Sequence, residues 1–152
     1  METGATLPDV TVVDADGTPL ALAGLRGTPA VVYFYPKADT PGCTREAEDF
    51  TARAGAFAAA GAMVVGLSKD PPAKLARFAA KRALTVRLAS DEGGEACEAF
   101  GVWGEKQLYG RTYMGVERAT FLFDAGGRLV RAWRKVKVPG HVDEVLAAVR
   151  SL

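Results

Sequence analysis

Apolar residues recur along this chain with two different periods. Short runs rich in β-branched and aromatic residues predict buried strands, and alternation around glycine-bearing turns predicts hairpins at both ends of the chain. The predicted strands are Thr11–Val13, Val31–Tyr35, Met63–Leu67, Thr85–Leu88, Ala119–Phe123 and Leu129–Trp133. The first enters an N-terminal hairpin, and the last two pair around a glycine-rich turn.

Between the strands, apolar residues return every three or four positions, which is typical of amphipathic helices. The predicted helices run from Pro41 to about Ala60, from Pro71-Pro72 to about Arg82, from Glu95 to Phe100 and from Val142 to Val149. The order of elements places parallel strands first and an antiparallel pair later. It predicts an α/β, thioredoxin-like fold: a central mixed sheet flanked by helices, with an N-terminal β-hairpin extension.

Length and charge exclude several classes of function. A chain of 152 residues fits a single domain, residues 1–152, and its net charge of +1 gives no reason to expect a nucleic-acid or membrane partner. The apolar runs are too short to span a membrane, and the N-terminus lacks the pattern of a signal peptide. We therefore expect a cytoplasmic protein, in which two cysteines are more often catalytic than structural.

Cys43 is the most informative residue, because it follows a predicted strand and opens a predicted helix. Thr40 can serve as the N-cap and Pro41 suits the first helical position, so Cys43 falls in the first turn. Unpaired N–H groups and the helix dipole favour a thiolate there. A free cysteine can also be a small buried hydrophobe, but this context favours a nucleophile.

The helix alone does not ionise a thiol. Lowering the pKa of a cysteine from about 8.5 to about 6 takes roughly 3.4 kcal/mol of preferential thiolate stabilisation. A helix terminus contributes at most about 2 kcal/mol. A reactive Cys43 therefore requires a neighbouring cation.

The motif Pro36-x-x-x-Thr40-x-x-Cys43 resembles the active-site signature of the peroxiredoxins, and its surroundings are similar to the bacterioferritin-comigratory (PrxQ) branch. The likeness continues in the blocks Phe100–Lys106, Glu117–Asp124 and Trp133–His141. It implies a thiol-dependent peroxidase that reduces hydrogen peroxide and organic hydroperoxides through a sulfenic acid. It also implies recycling by thioredoxin or a similar thiol, a monomer, and no metal or other cofactor.

The resemblance places the active-site arginine at Arg118, at the entry of the predicted strand Ala119–Phe123. A guanidinium stays charged and offers several donors, so it can favour the thiolate and bind a peroxide oxygen together. The alternative is a solvated surface arginine.

Four further residues complete the implied site. Thr40 would hydrogen-bond the peroxide and the thiolate, unless it serves only as the helix cap, and Pro36 would shield the sulfur from water. The N–H groups of Gly42 and Cys43 would form an anion-binding corner. Glu46 would orient Thr40 or Arg118, or would be a solvated carboxylate.

The reaction also needs a thiol that reduces the sulfenic acid. Many members of the branch carry a resolving cysteine five residues after the first, but that position is Glu48 here; others place it in the next helix, where Arg77–Lys81 contains none. Cys97 is the remaining candidate, and we expect an intramolecular disulfide with Cys43. If Cys97 is an inert thiol, an external thiol resolves the sulfenic acid directly.

Two other functions compete with peroxidase activity. A redox-responsive holdase or binding protein would use Cys43 oxidation to expose apolar surface. A thiol–disulfide oxidoreductase is disfavoured, because Cys43 lacks a Cys-x-x-Cys partner.

The remaining conspicuous side chains have structural interpretations. His141, the one histidine, is expected at the surface or as a cap, and no zinc-ligand spacing is present. Trp103, Tyr109, Tyr113 and Met114 are expected to pack in the core; an apolar rim near the site and a contact surface are the alternatives.

Overall fold

Two β-sheets and five helices make up the fold. The computed structural model describes all residues, Met1–Leu152. The strands are β1 (Thr11–Asp14), β2 (Pro19–Ala21), β3 (Ala30–Phe34), β4 (Met63–Ser68), β5 (Arg87–Ser90), β6 (Trp103–Leu108), β7 (Arg111–Val116), β8 (Ala119–Phe123) and β9 (Leu129–Trp133). The helices are α1 (Pro41–Ala52), α2 (Ala54–Ala59), α3 (Pro72–Lys81), α4 (Glu95–Ala99) and α5 (His141–Arg150), with a 3₁₀ turn at Leu22–Leu25.

The main sheet has seven strands in the order β2-β1-β5-β4-β3-β8-β9. Its central strand β3 pairs in parallel with β4 and antiparallel with β8. At the N-terminal side, β1 and β2 form the predicted hairpin, which joins the sheet through β5. The mixed sheet and its N-terminal extension therefore agree with the architecture predicted from the order of elements.

All five residues of β3 are buried, and alternate side chains point to opposite faces of the sheet. Val31 and Tyr33 belong to the core covered by α1, α2, α3 and α5, which we call the four-helix face. Val32 and Phe34 belong to the core covered by α4 and the N-terminal segment, which we call the α4 face. The two hydrophobic cores are separated by the sheet itself.

Helix α1 is fixed to the four-helix face by aromatic packing. The ring of Phe50 stacks on that of Tyr33, with centroids 4.4 Å apart. Tyr33 is paired with Gly66 of the neighbouring strand β4. A Cβ at Gly66 would lie 2.6 Å from the tyrosine oxygen, so only glycine leaves room for the ring. The Gly66 position on the neighbouring strand thus allows Tyr33 to lie beneath the helix that carries Cys43.

The predicted long helix after Pro41 is instead two helices, broken at Arg53. Its backbone leaves the helical region (φ −101°, ψ 6°), and its side chain forms an ion pair with Asp143 of α5, with Nε and Oδ1 2.8 Å apart. The strand predicted at Thr85–Leu88 begins two residues later, at Arg87. The N–H groups of Thr85 and Val86 donate to the Thr51 hydroxyl of α1 instead of to a neighbouring strand. Local periodicity predicts neither this contact nor the Arg53–Asp143 ion pair.

Strands β6 and β7 form a separate antiparallel hairpin that the sequence analysis did not predict. Its apolar side chains face solvent: Tyr109 is 96% exposed, Met114 50% and Tyr113 45%. The prediction of core packing is therefore wrong for these three residues. Strands β6 and β7 pair only with each other and are not part of the main sheet, so these side chains remain exposed. Trp103 is half-buried, with the ammonium group of Lys69 4.1 Å from its ring centroid.

The expectation for His141 is also wrong, since this side chain is buried at the start of α5. Its Nε2 lies 2.8 Å from the Thr120 hydroxyl of β8, and its ring meets that of Trp133 edge-on. Gly140, and not His141, occupies the N-cap position. Burial lowers the pKa of His141 from its ordinary value of 6.5 to about 4.

This burial predicts a loss of stability in mild acid. Folded His141 stays neutral down to about pH 4, whereas the unfolded chain protonates it near pH 6.5. The unfolded state then binds more protons, so the free energy of unfolding attributable to His141 falls as the pH drops through this interval. We expect His141→Gln, which removes the titration, to flatten the pH dependence measured by urea unfolding. Parallel curves for variant and wild type would contradict the assignment.

Candidate active site

Cys43 lies in the first turn of α1, just beyond the carboxyl end of β3. It is the third residue of the helix, after Pro41, and its side chain is buried. The Thr44 N–H donates to the Thr40 carbonyl (2.8 Å), which leaves the amides of Gly42 and Cys43 outside the helical hydrogen bonds. The helix start therefore directs free donors and the positive end of its dipole toward this region.

Thr40 occupies the predicted N-cap position, but its side chain does not cap the helix. Its hydroxyl instead donates to the Lys37 carbonyl at 2.8 Å and stays within the loop. Pro36 is half-buried at the beginning of the same loop. The loop thus folds back on itself immediately before the helix begins.

The loop is held by Asp70, a residue that the sequence analysis missed. Its Oδ2 accepts bonds from the Ala38 N–H and the Ser68 hydroxyl, both at 2.8 Å, and its Oδ1 lies 3.1 Å from the ammonium nitrogen of Lys74. Burial raises the pKa of Asp70, but these hydrogen bonds outweigh it and lower the pKa overall. The sequence signal that could have indicated Asp70 is its position: it is an acidic residue two positions after β4, the strand that pairs with β3.

Asp39 provides a second attachment of the loop. Its backbone has φ +61°, a left-handed conformation that aspartate tolerates better than most residues. Its carboxylate binds Lys81 at 2.8 Å and Arg82 at 3.1 Å, at the end of α3. These ion pairs are largely exposed, so each contributes little to the free energy of unfolding.

Arg118 contacts Cys43 from the start of β8, the strand that pairs with β3. Ala119 is paired with Phe34, the last residue of β3, so the preceding Arg118 lies beside the point where the Cys43 loop begins. Its Nη2 is 3.3 Å from Cys43 Sγ, and its Nη1 donates to Glu46 Oε1 at 2.7 Å. The solvated-arginine alternative is therefore wrong, and the cation required beside the thiol is present.

Gly42 leaves room for this approach. A Cβ built at Gly42 would lie 3.1 Å from Arg118 Nη2, closer than side chains normally come. The absence of a side chain lets the guanidinium lie against the backbone of the first helical turn.

Glu46 lies one helical turn after Cys43 and is completely buried, so the alternative of a solvated carboxylate is wrong. Burial raises the pKa of Glu46 to about 7, against the opposing effect of Arg118. Burial lowers the pKa of Arg118, but the charges of Glu46 and Cys43 outweigh this and raise it overall. The guanidinium consequently remains charged.

Cys97 lies on the α4 face, whereas Cys43 lies on the four-helix face, and both thiols are free. The Cys97 N–H donates to Asp91 Oδ2 at 2.8 Å, and burial together with Asp91 raises the pKa of the Cys97 thiol. The sheet therefore separates the two sulfurs in the folded protein. A disulfide between them stays a prediction that would require α1 and α4 to open.

Other kinds of site are not evident. No group of three or more histidine, cysteine, aspartate or glutamate side chains is arranged to hold a metal ion. None of the helices combines the length and apolar character that a membrane crossing demands.

Comparison with known proteins identifies the family. Residues 3–132 match the AhpC/TSA family. The chain belongs to this family. It is 41% identical to peroxiredoxin Bcp of Bacillus subtilis over 152 residues, covering 100% of this chain and 97% of that protein. It is 42% identical to peroxiredoxin Bcp of Escherichia coli over 146 residues, covering 96% and 94%.

Solved structures agree. The bacterioferritin comigratory protein of Xanthomonas campestris, described for its alkyl peroxide reduction activity, superposes with a TM-score of 0.91 at 42% identity, covering 99% of this chain and 96% of that one. Peroxidoxin BcpB of Mycobacterium tuberculosis gives a TM-score of 0.88 at 38% identity, covering 100% and 98%. The chain is thus a thioredoxin-fold peroxiredoxin of the Bcp (PrxQ) branch, whose members are thiol-dependent peroxidases.

The close approach at Gly42 gives a specific prediction. Gly42→Ala should push the guanidinium away from Cys43 and lower kcat/KM for peroxide about tenfold, equivalent to about 1.4 kcal/mol. The thermal midpoint should not fall, because alanine favours the helix. Gly55→Ala in α2 is the control, since no other atom lies within 4 Å of its added Cβ. Unchanged peroxide kinetics in Gly42→Ala would contradict the proposed constraint.

Proposed function

We propose that Cys43 is the peroxidatic residue of this peroxiredoxin. The thiolate attacks the terminal oxygen of the peroxide, an S–O bond forms and the O–O bond breaks. Cys43 becomes a sulfenic acid, and the peroxide leaves as water or an alcohol after its oxyanion takes up one proton. The observation that carries the proposal is the 3.3 Å contact between Cys43 Sγ and Arg118 Nη2.

Arg118 has two roles in this reaction. Before attack, its charge favours the thiolate; during attack, it stabilises the negative charge that develops on the departing oxygen. The free amides of Gly42 and Cys43 supply further donors at the helix start. Because the guanidinium is already held by Glu46, little reorganisation is needed when peroxide arrives.

Thr40 and Pro36 complete the proposed substrate pocket. The Thr40 hydroxyl bonds only its own loop in the resting structure, so it can rotate to bind a peroxide oxygen. Pro36 has no N–H and contributes by limiting access of water. Hydrogen peroxide and organic hydroperoxides are the proposed substrates, in keeping with the alkyl peroxide reduction described for the Xanthomonas relative.

The proposed resolving agent is an external thiol. Cys97 lies across the sheet from Cys43, with its amide bonded to Asp91. Direct reduction of the Cys43 sulfenic acid by a thioredoxin-type protein or a small thiol avoids opening two helices. The proposed enzyme is a monomer, as the resemblance implies. The two free cysteines fit the reducing cytoplasm expected from the sequence.

The catalytic assignment predicts a hierarchy of mutant activities. Cys43→Ser should abolish peroxide-dependent oxidation of a coupled thiol reductant, and Arg118→Met should lower kcat/KM by about 10²- to 10³-fold. Arg45→Met is the matched control, since Arg45 is an exposed arginine of α1 paired with Asp49. It should retain wild-type turnover.

Full turnover by Cys43→Ser would overturn the proposal. Suppression of client aggregation by oxidised protein, without consumption of peroxide, would favour the redox-responsive holdase instead.

The resolution step has its own test. Cys97→Ala should retain turnover with a small thiol as reductant, and a non-reducing peptide map of peroxide-treated wild type should contain no Cys43–Cys97 peptide. Stoichiometric recovery of that peptide, with loss of turnover in Cys97→Ala, would establish the intramolecular disulfide and contradict external resolution.

A further inference from the structure

One largely buried cation contacts two buried acids in this site. Arg118 contacts Cys43 Sγ through Nη2 at 3.3 Å and Glu46 Oε1 through Nη1 at 2.7 Å. The guanidinium side chain is 16% exposed, and Glu46 is 0% exposed. If thiol and carboxyl were both ionised, two anions would share a single positive charge out of water, which is costly.

The second oxygen of Glu46 indicates which acid holds the proton. Glu46 Oε2 is buried and has no hydrogen-bond partner. An ionised carboxylate oxygen without a donor loses its hydration uncompensated, whereas a protonated oxygen loses much less. The environment of Glu46 therefore favours the neutral acid as long as Cys43 is a thiolate.

No other cation contacts Glu46 or Cys43. The charge of Lys106 in β6 acts on Cys43 and Arg118, but its ammonium group donates to the Val116 carbonyl at 2.8 Å and binds neither acid. Besides Cys43 and Arg118, the titratable groups that act on Glu46 or face it are Asp49 on its own helix and Tyr33 and Tyr35 from the sheet. Asp49 is negative and paired with Arg45. Burial raises the pKa of both tyrosines, which stay neutral.

We propose that Glu46 stores the proton of the resting site and releases it when peroxide converts the Cys43 thiolate to a sulfenic acid. This inference rests on the proposed function. In the resting enzyme the thiolate neutralises Arg118 and Glu46 is protonated. After oxidation the sulfur is neutral, and Glu46 becomes the carboxylate partner of the guanidinium.

The charges and atoms balance in this scheme. The thiolate, the hydroperoxide and the Glu46 carboxylic acid give a sulfenic acid, an alcohol (or water) and the Glu46 carboxylate. Sulfur is oxidised by two electrons as the O–O bond is reduced, and the Glu46 proton ends on the departing oxyanion. The site carries the same net charge before and after. Glu46 does not contact the sulfur, because Arg118 lies between the two acids and binds both.

The raised pKa of Glu46, about 7, agrees with this arrangement.

Infrared difference spectroscopy tests the proposal directly. Spectra of the full chain before and after one equivalent of hydrogen peroxide should show loss of one protonated-carboxyl band, identified by isotope labelling of glutamate. The band should be absent from Glu46→Gln and present in Glu48→Gln, which changes an exposed carboxylate of the same helix. An unchanged carboxyl region in wild type, with Cys43 shown by mass spectrometry to be oxidised, overturns the inference and leaves the proposed function intact. Absence of Cys43 oxidation contradicts the proposed function itself.

Proton counting is a second readout, independent of the behaviour of any single band. In weakly buffered solution at about pH 6, below the Glu46 pKa of about 7, wild type should take up far less than one proton on stoichiometric oxidation, because Glu46 supplies it. Glu46→Gln should take up one proton per sulfur oxidised. Equal uptake by the two proteins would show that Glu46 does not change ionisation and would overturn the proposal.

Discussion

A guanidinium held between a thiol and a carboxyl is the interaction on which this active site depends. Arg118 contacts Cys43 and Glu46 at once, although it is more than seventy positions away from either in sequence. The pairing of β8 with β3 makes the contact possible, because it sets Ala119 against Phe34 at the edge where the Cys43 loop starts. The geometry of the proposed active site is thus a consequence of strand register as much as of the motif around Cys43.

The same sheet that assembles the site also isolates the second thiol. Alternate residues of β3 support different cores, with α1 and Cys43 over one face and α4 and Cys97 over the other. Joining the sulfurs would require breaking the contacts of both helices. External resolution requires only that the Cys43 end of α1 open to an outside thiol, and it leaves the core around Cys97 intact.

Local sequence signals were sufficient to predict the structure around Cys43, because the strand, the helix start and the cysteine lie within one short segment. The strand, the Thr40–Pro41 helix start and the position of Cys43 followed from propensity and capping rules, and the family motif indicated Arg118. Local signals failed where a distant partner decides the outcome. Arg53, where the predicted helix breaks, forms an ion pair with Asp143, and His141 is buried against Thr120. Asp70, which follows β4, binds the loop that follows β3. The β6–β7 hairpin was missed because its exposed apolar residues imitate a core pattern.

The account requires that Arg118 keeps Cys43 ionised, and the ultraviolet absorbance of the thiolate measures this most directly. Wild type and Arg118→Gln are compared at neutral pH, each with the corresponding Cys43→Ser protein subtracted. We predict a strong thiolate signal in wild type that is largely lost in Arg118→Gln, while both proteins keep the same circular dichroism. An equal signal in both proteins would contradict the account, because the guanidinium would then contribute nothing to the charge on the sulfur.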